Sequence, residues 1–410
     1  MNKCLLNFNN FKSGVILDIC GSKSISQRAL IIRFLNSKND KIINLSNSDD
    51  TRILNEILNK KNYSIDVEDG GTTLRFLLCI LSLRDDNYFI NGSLSLKKRP
   101  LKNLIINLEK LGATFKFPEK YYQIPLFIKG GSLKSNELII DSNQTSQFTS
   151  AIAMIAPYIN GGLKLVIKKQ MPSRPFFDMT IKMMKICGAK ISSNEKFIEI
   201  KSGGYDKIFS LVESDWTSVS YIYEALAFSK NSSIICSTFF ENSLQGDSDL
   251  ISFFNIIGVE TLFENNKIIL KRHNKFPIPK LIKWDVLATP DLALTYMTTC
   301  LGLGINLKLT GIKNLFFKES NRLKVMKNEL EKFNVQVIIE DDFFFMDTSH
   351  RKLNACFINT YCDHRIALAF APLVILTKNL TINNYNVVSK SYPNFWDDMK
   401  KIGIKIILKD

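Results

Sequence analysis

Lysine and arginine recur in this 410-residue chain where an apolar segment is about to begin. Lys23, Ser24 and Arg28 open GSKSISQRALIIRFL, and Arg75 interrupts the apolar run of DGGTTLRFLLCIL. Arg99 precedes Pro100 in LKKRPLKN, and Arg365 follows Asp363 and His364 in YCDHRIALAF. An inward cation on an apolar segment is costly unless it is paired, so each asks for a structural carboxylate or an anionic ligand. In FKESNRLKVMKNELEKF, Lys318 and Arg322 stand four apart, which on a helix puts them on one face, with Glu319 between them in sequence. Alone, that stretch reads as a solvated, salt-bridged helix. Glu319 and Asp291, the latter in the first turn after Thr289 and Pro290, are the two carboxylates suited to proton transfer. Cations gathered around two acids are the equipment for chemistry on a small polyanion.

Other chemistries find little support. The chain has no GxxxxGK[ST] phosphate loop, no GxGxxG after a strand and no HExxH, and its histidines (His273, His350, His364) form no local metal motif. Eight cysteines without a CxxC pair read as reduced, packed thiols. The net charge of +15 is spread along the chain instead of forming a basic block with aromatic stacking residues, so no nucleic-acid partner is expected. The longest apolar run, Ile366–Leu376, has eleven residues and contains Pro372, short of the roughly 20 that span a bilayer. The start, MNKCLLNFNNFKSG, has no uninterrupted apolar core of a secretory signal, and a cytoplasmic protein without a membrane partner is expected.

The elements that must position these residues repeat. A polar turn opening into an apolar helix occurs six times, beginning at Gly21, Asp69, Asn143, Glu213, Ala288 and Tyr361, at intervals of 48, 74, 70, 75 and 73 residues. Interleaved with it is an amphipathic helix stopped by Gly or Asn, near Asn62, Gly112, Gly188, Gly258, Asn334 and Gly403, and followed by a strand-like run. The pattern predicts a two-domain α/β protein of six pseudo-repeats, three per domain. Buried helices would be surrounded by sheets and amphipathic helices. Helix openings present unpaired N–H groups and a positive dipole end, which favour anions, although a Ser or Thr there reads first as a simple N-cap.

The stretches GSKSISQRAL, SDDTR, GGTTLRF, RPL, SQF, PSRPFFD, ESDWTS, NSLQGD, TPDLA, KESNRL, DHRIA and KSYPNF run through the whole chain in one order. In these the chain resembles the 5-enolpyruvylshikimate-3-phosphate synthase family from end to end. The resemblance implies an inverse α/β fold with the active site in an interdomain cleft. One domain would comprise residues 1–20 and 214–410, the other 21–213. It further implies transfer of the enolpyruvyl group of phosphoenolpyruvate to the 5-hydroxyl of shikimate-3-phosphate, by a monomer with no metal or organic cofactor. Carried over, the shikimate-3-phosphate contacts are Lys23, Ser24, Arg28, Thr145, Ser146, Gln147, Ser173, Asp291, Asn314 and Lys318. The phosphoenolpyruvate contacts are Lys23, Gly71, Arg99, Gln147, Arg322, Arg365 and Lys390. Glu319 would protonate the methylene carbon, Asp291 would accept the hydroxyl proton, and Lys23 and Lys390 would stabilise charge.

Four positions depart from the family pattern. Phe176 stands where many members carry Tyr, Asn321 where Asp is usual, Asp69 where Asn is common, and Phe76 where Pro is frequent. Two competing expectations are a UDP-N-acetylglucosamine enolpyruvyl transferase and a non-catalytic nucleic-acid binder on the same scaffold. The former would carry a reactive Cys on a loop in its second quarter, and this chain has none near Arg99.

Overall fold

The computed structural model describes residues 2–134, 137–140, 145–168, 171–194, 197–273, 276–354 and 356–409. Each apolar opening becomes a helix: α1 (Lys23–Leu35), α2 (Gly71–Ser82), α3 (Ser146–Ile155), α4 (Trp216–Ala227), α5 (Ala293–Leu303) and α6 (His364–Phe370). Asn143 and Gln144, the first residues of the third opening, lie outside the described residues. Every residue of α4 and α6 is buried, as is all of α2 except Thr72, which is what a helix apolar on all sides requires.

Five four-stranded sheets accompany these helices, all built alike. Two parallel strands are joined across a buried helix, and two antiparallel strands complete the sheet. Ser64–Asp66 pairs with Asn87–Asn91 across α2, Glu137–Ile140 with Leu163–Ile167 across α3, Leu281–Asp285 with Asn306–Thr310 across α5, and Cys356–Ile358 with Asn379–Asn383 across α6. The fifth parallel pair, Val15–Leu17 with Ser233–Ser237, encloses α4. The parallel connection carries its apolar helix back over the sheet, so the helix openings fall at the ends of the parallel strands.

The segment opening at Gly21 differs. It gives α1 and the helix Asp49–Asn59, and of strand pairing before Ser64–Asp66 only the isolated bridges Gly21–Ser214 and Ile43–Leu211 are seen among the described residues. Its amphipathic helix ends at Asn59 with Lys60 extended, so Asn62 is not a left-handed stop. Gly112, Gly188, Gly258, Asn334 and Gly403 do take positive φ at theirs.

The chain divides into two compact units, Met1–Ser22 with Glu213–Asp410, and Lys23–Val212. In the first, the strand Lys3–Phe8 lies between Asn379–Asn383 and Ile404–Lys409, weaving the start of the chain into its last sheet. Six cysteines are buried, but Cys356 is half-buried and Cys362 exposed, so packing does not account for all eight. Among the described residues no helix is long and apolar enough to cross a membrane.

Candidate active site

In the unit containing Glu213–Asp410, acids and bases converge on Asp291. This residue lies in the single turn Pro290–Leu292 that leads into α5. Its Oδ1 is 3.2 Å from Lys318 Nζ and 3.0 Å from Arg322 Nη1, and its Oδ2 is 3.1 Å from Arg365 Nη2. Arg322 also reaches Glu319 Oε2 at 2.9 Å and Asp363 Oδ2 at 2.9 Å. Asp363 caps α6 by accepting the Arg365 N–H, and Arg365 Nη1 donates to the Tyr221 hydroxyl at 3.2 Å.

Lys318 and Arg322 do not share a helical face. A turn over Lys313–Phe317 ends with Lys318 extended, and the helix Arg322–Leu330 starts only after Asn321, whose side chain accepts the Lys324 N–H. The extended stretch lets Lys318 and Arg322 meet at one carboxylate oxygen. Asn321 is thus a helix cap, a role that an amide fills as well as an acid does.

Burial alone would raise the Asp291 carboxyl, but Arg365, Lys318 and Arg322 outweigh it and hold it well below its ordinary value. Asp291 is therefore a weak base while all three cations face it. An anion that drew them off would strengthen it. Burial lowers Lys318 despite its pairing with Asp291. Asp247 is fully buried, with Oδ2 accepting from the Thr217 hydroxyl and from Gln245 Nε2; burial and the charge of Asp291 push it up to about 6.

The unit Lys23–Val212 gathers a different set. Lys23 Nζ lies 3.1 Å from Asp50 Oδ2. Arg28 is 2 % exposed and donates only to neutral oxygens among the described residues: the Thr180 hydroxyl at 2.6 Å, the Ser24 carbonyl at 2.7 Å and the Phe176 carbonyl at 3.3 Å. Its guanidinium lies 5.3 Å from the centre of the Phe76 ring, so the aromatic residue at 76 has a packing role. Desolvation pulls Arg28 down from its ordinary value.

Arg75 Nη1 donates to Gln147 Oε1 at 2.6 Å, at the opening of α3. At the opening of α2, a Cβ on Gly71 would lie 2.9 Å from Arg99 Cζ and 3.2 Å from Arg75 Nη1, so two guanidinium groups crowd the positive end of that helix. Thr145 is a plain N-cap that accepts the Gln147 N–H, and Ser146 is buried beside it. Ser173 is left-handed at φ 57° and makes no capping bond at the start of Arg174–Ile186, a strained placement of the kind found at ligand sites.

Two further expected residues lie on short turns. Asn314 lies in the turn Lys313–Phe317, half-buried, with no hydrogen bond to the Asp291 group among the described residues. Lys390 closes the turn Tyr385–Lys390, which packs against α6. Among the described residues no group of His, Cys, Asp and Glu is placed to hold a metal ion.

The family profile described as EPSP synthase (3-phosphoshikimate 1-carboxyvinyltransferase) matches residues 53–399. The chain belongs to the EPSP synthase family. It is 35 % identical over 393 residues to the 3-phosphoshikimate 1-carboxyvinyltransferase of Bacteroides fragilis strain YCH46, covering 95 % of each protein. It is 30 % identical over 420 residues to the enzyme of that name from Buchnera aphidicola subsp. Cinara cedri, covering 94 % of each. The EPSP synthase of Acinetobacter baumannii superposes with a TM-score of 0.77 at 18 % identity over the full length of both chains, which establishes likeness of fold.

Within this family fold, sequence reasoning left several residues without a role. Asp50 pairs with Lys23, Asp363 holds Arg322, and Tyr221 and Asp247 flank the Asp291 group. Asp50, Asp247 and Asp363 all lie inside SDDTR, NSLQGD and DHRIA, so the signal was local, while the pairing was not.

Proposed function

We propose that this protein transfers the enolpyruvyl group of phosphoenolpyruvate to the 5-hydroxyl of shikimate-3-phosphate and releases phosphate. The observation that carries the assignment of roles is the Asp291 carboxylate shared by Lys318, Arg322 and Arg365, with Glu319 on the far arm of Arg322.

In the addition step, Glu319 gives a proton to the methylene carbon, and the neighbouring carbon takes on oxocarbenium character. The 5-hydroxyl oxygen bonds to that carbon and passes its proton to Asp291. In the elimination step the carbon–oxygen bond to phosphate breaks, the new methyl group returns a proton to Glu319, and the proton held by Asp291 leaves with the departing phosphate. Substrate phosphate and carboxylate groups draw Lys318, Arg322 and Arg365 away from Asp291, so binding itself raises the basicity of Asp291.

Lys23, Ser24, Arg28, Thr145, Ser146, Gln147, Ser173, Asn314 and Lys318 take the phosphorylated ring. Gly71, Arg99, Gln147, Arg322, Arg365, Lys23 and Lys390 take phosphoenolpyruvate. The reaction proceeds in the cytoplasm, in a monomer, with neither metal nor organic cofactor.

Phosphate release from purified protein given both substrates tests this reading, with either substrate omitted as control. Release that requires both is expected. Its absence across several buffers overturns the proposal.

A further inference from the structure

We infer that Asp69 is a positioning residue: it ties down the turn that delivers Arg99 to the opening of α2, while its negative charge weakens the hold of that opening on an anionic ligand. The inference rests on the proposed function only in naming phosphoenolpyruvate as that ligand.

Asp69 stands two residues before Gly71, the first residue of α2. Its Oδ1 accepts hydrogen bonds from the Ser93 and Ser95 hydroxyls, the latter at 2.5 Å. Ser93 also caps the short helix Leu94–Lys97 by accepting the Leu96 N–H, and its own N–H donates to the Glu68 carbonyl at 2.9 Å. Gly92 completes the junction, since a Cβ there would lie 2.9 Å from the Glu68 carbonyl oxygen. The stretch 92–96 is thereby fastened to 68–69. Three residues beyond Leu96, the Arg99 N–H donates to the Leu96 carbonyl at 3.0 Å, so the fastening extends to the residue whose guanidinium covers Gly71.

A neutral acceptor would serve the hydroxyls almost as well as a carboxylate does. The charge has a separate effect, because it opposes the attraction that Arg99, Arg75 and the helix dipole exert on a phosphate or carboxylate. The two roles therefore separate by substitution. Asp69→Asn keeps the acceptor and removes the charge, whereas Asp69→Ala removes both.

The test combines a measurement without turnover and one with it. In the ligand-free protein, amide hydrogen exchange at Ser93 and Leu96 is expected to stay slow in Asp69→Asn and to quicken about tenfold or more in Asp69→Ala. Inorganic phosphate should bind about threefold more tightly to Asp69→Asn than to the parent, and more weakly to Asp69→Ala. The KM for phosphoenolpyruvate should follow the same order, with a smaller change in the KM for shikimate-3-phosphate. Equal phosphate binding by the two variants, or unaltered exchange in Asp69→Ala, overturns the inference even if the parent enzyme turns over. An inactive parent that still shows the expected exchange and phosphate order would sink the proposed function and leave the inference standing.

Discussion

The guanidinium of Arg322 touches three carboxylates, whereas that of Arg28 touches a hydroxyl and two carbonyl oxygens. Both side chains are almost wholly buried. One charge is cancelled by the chain itself, and Arg322 is raised above its ordinary value by Asp363, Glu319 and Asp291 although burial opposes it. The other meets no carboxylate among the described residues and is pulled down by burial. A buried ion pair holds its surroundings in register but adds little net attraction for a ligand. A buried cation solvated only by dipoles is a standing demand for an anion. Under the proposed function, the group around Asp291 would combine proton handling with anion contacts already neutralised by its own acids, whereas Arg28 would meet its first counter-charge in the ligand.

The comparison breaks most readily at Arg322. Arg322→Met removes one cationic partner from each of Asp291, Glu319 and Asp363, so it should lower stability by about 3–5 kcal/mol in urea unfolding and cut phosphate release by about a thousandfold. A stable, active variant would mean that the acids do not depend on this cation. Arg28→Met should behave in the opposite way. Removing a buried charge that no described carboxylate faces should leave stability unchanged or raise it by about 1 kcal/mol, while kcat/KM for shikimate-3-phosphate falls about a hundredfold. A stability loss comparable to that of Arg322→Met would erase the distinction between the two arginines.

Asp247 sharpens it through an effect confined to stability and to one range of pH. Its carboxyl titrates near 3.9 in the unfolded chain and is pushed up to about 6 in the fold. Between those values the folded chain keeps a proton that the unfolded chain has lost, so the stability that this group contributes is complete below about pH 4 and falls as pH rises through 6. Asp247→Asn should abolish that fall, gaining about 3 kcal/mol over the parent at neutral pH and nothing below pH 4. Thermal unfolding across pH measures it; a constant gap would attribute the effect to packing instead of charge.

The six buried helices were legible because an apolar run behind a polar turn needs no knowledge of its partners, and α4 and α6 obey it residue by residue. The short first interval of 48 residues already marked the segment at Gly21 as unlike the others, and the structure gives it no four-stranded sheet of its own among the described residues. The stretch from Lys318 to Arg322 was misread as helix because charge spacing was given more weight than the capping residue Asn321. Lys23 with Asp50 and Arg322 with Asp363 were hidden for another reason: the partners are 27 and 41 residues apart, and only the fold brings them together. The departures at Asn321, Phe76 and Asp69 looked like losses in sequence. In the structure each has local work, as a cap, a ring beneath Arg28 and an acceptor for two hydroxyls.

Gly21 pairs with Ser214, the Ser22 N–H donates to the Glu213 carbonyl, and the Asp215 N–H donates to that of Cys20. The chain thus leaves for the unit Lys23–Val212 and returns through one hydrogen-bonded doorway. For a nascent polypeptide this sets an order of events. The inserted unit is complete before most of its host has been synthesised, and once folded it shortens a very long loop to a few bonds. The parallel pairing of Val15–Leu17 with Ser233–Ser237, remote in sequence, then becomes nearly a local step. A lesion that unfolds the insert early in synthesis will therefore cost the host its first sheet as well.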